Sequence, residues 1–245
     1  MKNRNLWKPS KFVYLKKKLI ASRDPKEVGI SSRLGADIVA KEYHDQLPLF
    51  AKGKMLDLGC GKVPLFETYK NFVSDNICID WANSSHKNPY LDLEHNINES
   101  LPLSNEEFDT VLLSDVLEHI KEPRALWAEM YRVLKPGGVV ILNVPFFYWI
   151  HEEPYDYYRY TRYALESMAT DVGFKIRLLK PIGGSPEIVA DIIAKNIVEL
   201  RWIGPGLAKF IQWATAVFVR TTIGGKFSLS SAERFPFGYF MIVEK

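Results

Sequence analysis

Residues 55 to 61 read Met-Leu-Asp-Leu-Gly-Cys-Gly, a short apolar run interrupted by one aspartate and opening into two glycines one residue apart. A strand buried on both faces of a parallel sheet presents as such a run, and glycines at its carboxyl end let backbone approach a ligand more closely than any Cβ permits. The pattern predicts an open α/β sheet with a nucleoside cofactor at the loop. Asp57 narrows the chemistry. A carboxylate beside the turn repels a pyrophosphate and suits a cationic ligand, such as a sulfonium that carries an amino acid group.

The remaining punctuation extends that reading. Ser31 or Ser32 can cap a helix running to about Phe50, followed by strands at Lys54–Leu58, Ile77–Asp80, Tyr90–Leu93 and Phe108–Ser114. A helix is expected near Pro64–Tyr69, and another from Pro123 to Leu134, stopped by Lys-Pro-Gly-Gly at 135–138. Val139–Val144, Phe174–Lys180 and Phe237–Glu244 complete seven strands, with Thr161 capping a helix before the sixth. Alternation of this kind implies a doubly wound, mostly parallel sheet.

Taken together, these motifs resemble a class I S-adenosylmethionine-dependent methyltransferase of the type 11 group. They are the glycine loop, an acid ending the second strand at Asp80, Phe108-Asp109 leading into Leu-Leu-Ser-Asp-Val-Leu-Glu-His at 112–119, and Arg-Val-Leu-Lys-Pro-Gly-Gly at 132–138. The resemblance implies a Rossmann-like α/β fold with an antiparallel last strand and S-adenosylmethionine as cofactor. It places Gly59, Cys60 and Gly61 along the methionine portion, with Asp57 and Ser114 near its amino group. Asp80 would take the ribose hydroxyls, Trp81 the adenine face, and Asp92 with Leu93 the adenine edge. Two departures matter: the third loop glycine is replaced by Val63, expected to start a helix, and Pro64 follows. An oxidoreductase reading of Gly59-Cys60-Gly61 fails on the same missing glycine.

The acceptor is expected at Pro145–Thr161, which follows the fifth strand and is dense in aromatic rings, acids and hydroxyls. A similar run occurs in bacterial methyltransferase-like proteins associated with surface glycans. His151 is the candidate base, because its reference pKa of about 6.5 suits proton transfer at neutral pH. Glu152, Asp156 or Tyr157 would orient it or contact substrate, and Arg159 would pair with an acidic acceptor. Glu118-His119 resembles a position that binds a divalent metal in some O-methyltransferases, but its partners are incomplete, so no metal is assigned. His44, His86 and His95 read as surface residues.

Charge is uneven. Residues 1–26 hold nine Lys or Arg against Asp24 alone, whereas the whole chain is only +3. Residues 1–30 are therefore read as a basic arm, either solvated or bound to an anionic membrane surface, and residues 31–245 as the methyltransferase domain. A net-acidic body argues against nucleic acid as substrate. Residues 187–223 read as an apolar helical insertion before the last strand, suited to core, a homodimer contact or a membrane interface. Two cysteines without paired spacing imply a reducing, cytoplasmic setting. The function expected is methylation, on oxygen, of a small-molecule, glycan or lipid-linked acceptor; the alternative is a cofactor-binding module without turnover in a biosynthetic complex.

Overall fold

The computed structural model describes residues 1–81 and 88–245; His86 lies outside them. Seven strands form one sheet: β3 (Gly53–Leu58), β4 (Val73–Asp80), β5 (Leu93–Glu94), β6 (Phe108–Ser114), β7 (Leu134–Pro145), β8 (Lys175–Ile182) and β9 (Gly238–Glu244). Their order is β5-β4-β3-β6-β7-β9-β8, parallel except that β9 runs antiparallel to both β7 and β8. The order in which the chain adds strands to the sheet reverses between the parallel neighbours β3 and β6. The loops leaving those two strands therefore splay apart at their carboxyl ends, where open α/β sheets bind ligands.

Strand alternation divides the core into two layers. Val111 and Leu113 of β6 face one side with Trp127 and Met130 of helix α3 (Pro123–Val133), all buried. Leu112 faces the other side with Ile141, Tyr43 and Leu47, the last two from helix α1 (Arg33–Phe50). α1 begins at Arg33, and its Ser32 makes no side-chain cap. Helix α2 is one turn, Phe66–Tyr69. Helix α4 (Arg162–Asp171) is capped as expected, with Thr161 accepting from the Ala164 N–H. Gly35 of α1 leaves room for the ring of Phe237, the residue before β9: a Cβ there would meet that ring at 2.4 Å.

The basic segment is folded against the body. β1 (Phe12–Leu15) and β2 (Lys18–Ala21) pair as a hairpin around Lys16 and Lys17, both in the left-handed region. Phe12, Leu19 and Ala21 are buried while the lysines stay outside, so alternation rather than net charge decides the fate of this stretch.

The apolar insertion also differs from expectation. It is three helices, α5 (Ser185–Ile197), α6 (Gly204–Phe218) and α7 (Thr222–Ala232), and runs on past residue 223 to Ala232. The chain breaks after Phe218 because the Thr221 hydroxyl accepts from the Gly224 N–H and starts a new helix.

Candidate active site

At the switch point the glycine loop is held from both sides. The N–H groups of Gly59 and Cys60 donate to the Ile79 carbonyl, and the Gly61 N–H donates to Asp80 Oδ2 at 2.8 Å. Asp80 Oδ1 accepts from the Trp81 N–H, so the carboxylate ending β4 fastens the loop. Gly59 has φ +65°, and a Cβ there would stand 2.6 Å from Val116 on the loop after β6. Val63 sits at φ +53° and does not begin a helix; α2 starts three residues later. A β-branched residue thus occupies the left-handed position where the related motif carries glycine, held there by full burial of its side chain.

Two chambers meet over this loop. The smaller, about 240 Å³, runs past Asp80 and Trp81 to Asn96, Ile97 and Tyr155. The larger, about 400 Å³, is lined by Lys11, Ser114, Glu118, Tyr148 and His151. Gly59, Gly61, Asp115, His119 and Glu152 border both. The smaller chamber suits a nucleoside. Its glycine wall admits close approach, Asp80 offers acceptor oxygens, and the Trp81 ring stands edge to face with Tyr155 at 4.9 Å.

Several expected contacts move. Asp92 does not reach either chamber: Oδ2 accepts from the Cys78 N–H at 2.8 Å and pairs with the amino terminus. The edge strand begins at Leu93, not Tyr90, and pairs Leu93 with Ile79, so the chain reaches the carboxyl edge only at Asn96–Asn98. An Asx turn there, Asn98 N–H to Asn96 Oδ1, was the available signal, placed just beyond an acid-bearing strand. Cys60 and Ser114 line the larger chamber; Leu93 lines neither.

Asp57 is likewise beneath the loop rather than in the cavity. It is 4% exposed and accepts from the Tyr69 hydroxyl at 3.2 Å. Burial pushes its carboxyl up to about 7; the Tyr69 hydrogen bond opposes the rise and Asp80 adds to it, with Tyr43 and Cys60 the other titratable groups in range. An unfolded aspartate titrates near about 3.9. The native chain therefore keeps a proton that the unfolded chain has lost, and this contribution fades as pH rises towards about 7. Asp57→Asn cannot ionise. Its melting temperature should gain roughly 5 °C on the wild type between pH 5 and pH 8, read by calorimetry. A constant gap would show that Asp57 is ionised throughout.

Around the larger chamber, the acceptor segment builds a held cluster. The His151 N–H of the backbone donates to Asp156 Oδ2, and His151 Nδ1 lies 3.2 Å from the same oxygen. Asp156 is gripped by Arg159 at 2.6 Å; although burial opposes it, that hydrogen bond and His151 hold the carboxyl down at about 2. Arg159 is thus spent on Asp156 and on the carbonyls of Tyr158 and Trp149, not free for an acceptor. Tyr157 lines neither chamber; its N–H donates to the Glu118 carbonyl. His151 Nε2 and His119 Nε2 stand 3.9 and 3.8 Å from Glu118 Oε1. His119 Nδ1 is held by the Tyr155 carbonyl at 2.9 Å. Burial, then the facing His119, pulls the His151 pKa below its usual value, against Asp156. Glu118 is fully buried, neither carboxylate oxygen has a hydrogen-bond partner, and burial followed by Asp115 raises its pKa strongly.

Two further residues complete the rim. Asp115 adopts φ +53° at the end of β6, accepts from Asn143, and pairs with Lys11 at 2.8 Å. Lys11 belongs to the stretch read as an arm. His44 is half-buried, its ring edge to face with Tyr14, and His95 Nε2 contacts the Ser100 carbonyl.

A glycine-walled chamber at the switch point, an acid ending the second parallel strand, and an antiparallel last strand are the features of the class I α/β methyltransferase fold. Residues 56–142 match the family model described as a methyltransferase domain. The ubiquinone biosynthesis O-methyltransferase of Cereibacter sphaeroides is 30% identical over 117 residues, covering 43% of this chain and 47% of that protein. The chain thus spans about half the length of the curated relatives it matches. An S-adenosylmethionine-dependent methyltransferase from Archaeoglobus fulgidus superposes with a TM-score of 0.57 at 16% identity, over 88% of this chain and 97% of the other. A phospholethanolamine N-methyltransferase from Haemonchus contortus, solved with phosphomonomethylethanolamine and S-adenosylhomocysteine, gives 0.53 at 15% identity over 91% and 57%. These likenesses share the fold.

Proposed function

We propose that the protein transfers a methyl group from S-adenosylmethionine to a hydroxyl of a small-molecule, glycan or lipid-linked acceptor. The observation that carries this reading is the larger chamber beside its junction with the smaller, where the neutral ring of His151 and the buried Glu118 border the space a reacting hydroxyl would occupy. A cofactor-binding module without turnover has no use for such a cluster. The O-methyltransferase relatives support oxygen as the target.

Asp80, Trp81, Ile97 and the loop at Gly59–Gly61 would hold the cofactor. When bound it supplies an electrophilic methyl group on a sulfonium. The chain's own residues do the rest. Asp156 holds Nδ1–H of His151 so that the Nε2 lone pair faces the chamber and can accept the acceptor's proton. Arg159 fixes Asp156, and Tyr148 and the Lys11–Asp115 pair line the chamber.

The test is turnover of methyl-labelled cofactor against phenols, sugars and lipid-linked sugars. Acceptor-dependent S-adenosylhomocysteine is expected, and cofactor bound but never consumed across the panel would contradict the proposal. In His151→Ala, kcat should fall roughly 10²- to 10⁴-fold with cofactor affinity unchanged. Unaltered turnover would remove His151 from proton transfer.

A second reading is favoured by one observation. Glu118, His119 and His151 offer ligand atoms all within 4.8 Å of one another, and both histidines have Nδ1 already held. That arrangement can bind a divalent cation through two imidazoles and a carboxylate, lowering the pKa of a bound hydroxyl. Loss of turnover in chelator, restored by added metal, would favour it over the metal-free base.

A further inference from the structure

The helices between β8 and β9 leave an apolar face uncovered. On α6, Leu207, Phe210, Trp213 and Val217 fall three or four residues apart, on one side of the helix, and all are exposed, Trp213 at 61%. Ile223, Phe227 and Leu229 of α7 are exposed as well, the last at 75%, and Val189 and Ile192 of α5 join them. Trp202, 85% exposed, stands in the turn between α5 and α6. The opposite sides are committed. Gln212 of α6 donates to the Ile30 carbonyl and accepts from the Leu34 N–H, pinning the helix to the start of α1. Among the described residues no helix is long and apolar enough to cross a membrane.

Charge decides what covers this face. From Leu200 to Ala232 the chain carries Arg201, Lys209, Arg220 and Lys226, all exposed, and no acid at all. The acids of α5 that could have served, Glu187 and Asp191, are buried and bonded internally, to Ser228 and Lys195. The nearest exposed acids, Glu199 and Glu233, only flank the segment, and Glu233 already faces Arg162, so a two-fold dimer would set four cations opposite four cations with few carboxylates to pair them. Anionic lipid headgroups pair with them directly, while indole and phenyl rings enter the headgroup boundary.

The face is also continuous with the acceptor chamber. Lys195 of α5 lies 3.5 Å from the centre of the Tyr148 ring, which lines that chamber, and 5.1 Å from Trp149. Trp149 and Ile150 are exposed beside it, and Phe147 approaches Phe235, just beyond α7.

We propose that α5–α7 dock the protein on the surface of an anionic bilayer, so that the acceptor chamber opens towards lipid. This deepens the proposed function and rests on it only in making the acceptor lipid-borne; the docking itself stands on the surface.

Sedimentation of the full chain with vesicles tests it. Vesicles of phosphatidylcholine with 30% phosphatidylglycerol, a composition chosen for the assay at about 0.15 M salt, should carry the protein down, and pure phosphatidylcholine should carry at least roughly tenfold less. Phe210→Asp with Trp213→Asp should abolish sedimentation. Both sites are exposed, so folding should persist, and an unchanged melting curve verifies it. Leu49→Asp is the control, since Leu49 is 72% exposed near the far end of α1, about 22 Å along the helix from Leu34, where α1 meets α6. Failure to bind either vesicle, or binding indifferent to the double variant, overturns the proposal. So does a dimer in solution that the double variant splits. Because sedimentation needs no turnover, vesicle binding without methyl transfer would sink the proposed reaction alone, and methyl transfer to a soluble acceptor without vesicle binding would sink docking alone.

Discussion

Asp80→Ala should weaken S-adenosylmethionine and S-adenosylhomocysteine binding by roughly 100-fold or more, measured by calorimetric titration. The carboxylate is asked to do two things. It fastens the glycine loop through the Gly61 N–H, and it faces the nucleoside chamber where a ribose would present paired hydroxyls. Hydrogen bonds to a charged group contribute about 1.5–3 kcal/mol each, so losing two such bonds reaches that factor before any loosening of the loop is counted. Asp80→Asn keeps one acceptor oxygen and the side-chain volume. Its loss should be smaller, roughly tenfold. Equal affinity in wild type and Asp80→Ala would mean that the ribose is anchored elsewhere and that the register of the motifs is wrong.

Gly59→Ala should be the most damaging small substitution in the loop. Two costs add: φ +65° is a left-handed conformation that a Cβ disfavours by about 1–2 kcal/mol, and the added methyl would lie 2.6 and 2.8 Å from the two Cγ atoms of Val116. Both branches of the valine are in contact, so rotation about χ1 offers no escape. Overpacking of this kind costs about 1–3 kcal/mol more. The melting temperature should drop by roughly 5–10 °C and cofactor affinity should fall with it, because the two walls of the chamber are pushed apart. Gly137→Ala separates the terms. It has φ +75° with nothing within 4 Å of the new methyl, so only the backbone cost applies and the drop should be about a third as large. Equal drops in the two variants would show that Val116 yields freely.

What the sequence made legible was whatever is decided locally. Phe108–Ser114 forms a strand over those same residues because an apolar centre strand has no competing conformation, and Thr161 caps its helix through a hydrogen bond spanning three residues. The glycine loop and Asp80 fall where their spacing places them. Asp92 failed for a long-range reason: a two-residue edge strand takes its register from pairing with Ile79 and Asp80, which no local pattern announces. Helix α7 was hidden by Gly224, Gly225 and three serines, all poor or indifferent helix formers. Its glycines earn their place in packing, since a Cβ on Gly224 would meet the Phe218 carbonyl at 2.1 Å.

The candidate site was legible in membership but not in role. His151 and Glu152 do border the larger chamber, as expected of a charged aromatic loop after the fifth parallel strand. Asp156, read as orienting His151 or contacting substrate, lies against the His151 ring, and Arg159, read as pairing with an acidic acceptor, grips Asp156 instead, a pattern only side-chain geometry reveals. Lys11 was invisible as a site residue because it lies in a basic stretch between Lys8 and Lys16–Lys18. The hairpin that carries it to Asp115 depends on Phe12 and Leu19 finding a core formed far along the chain.

The most direct test of the account is a crystal structure with S-adenosylhomocysteine bound. The ribose should lie on Asp80 and the adenine between Trp81 and Ile97, with the sulfur facing the larger chamber towards His151. Adenine in the larger chamber, or a sulfur turned away from His151, would contradict the assignment of the two chambers and the methyl transfer built on it.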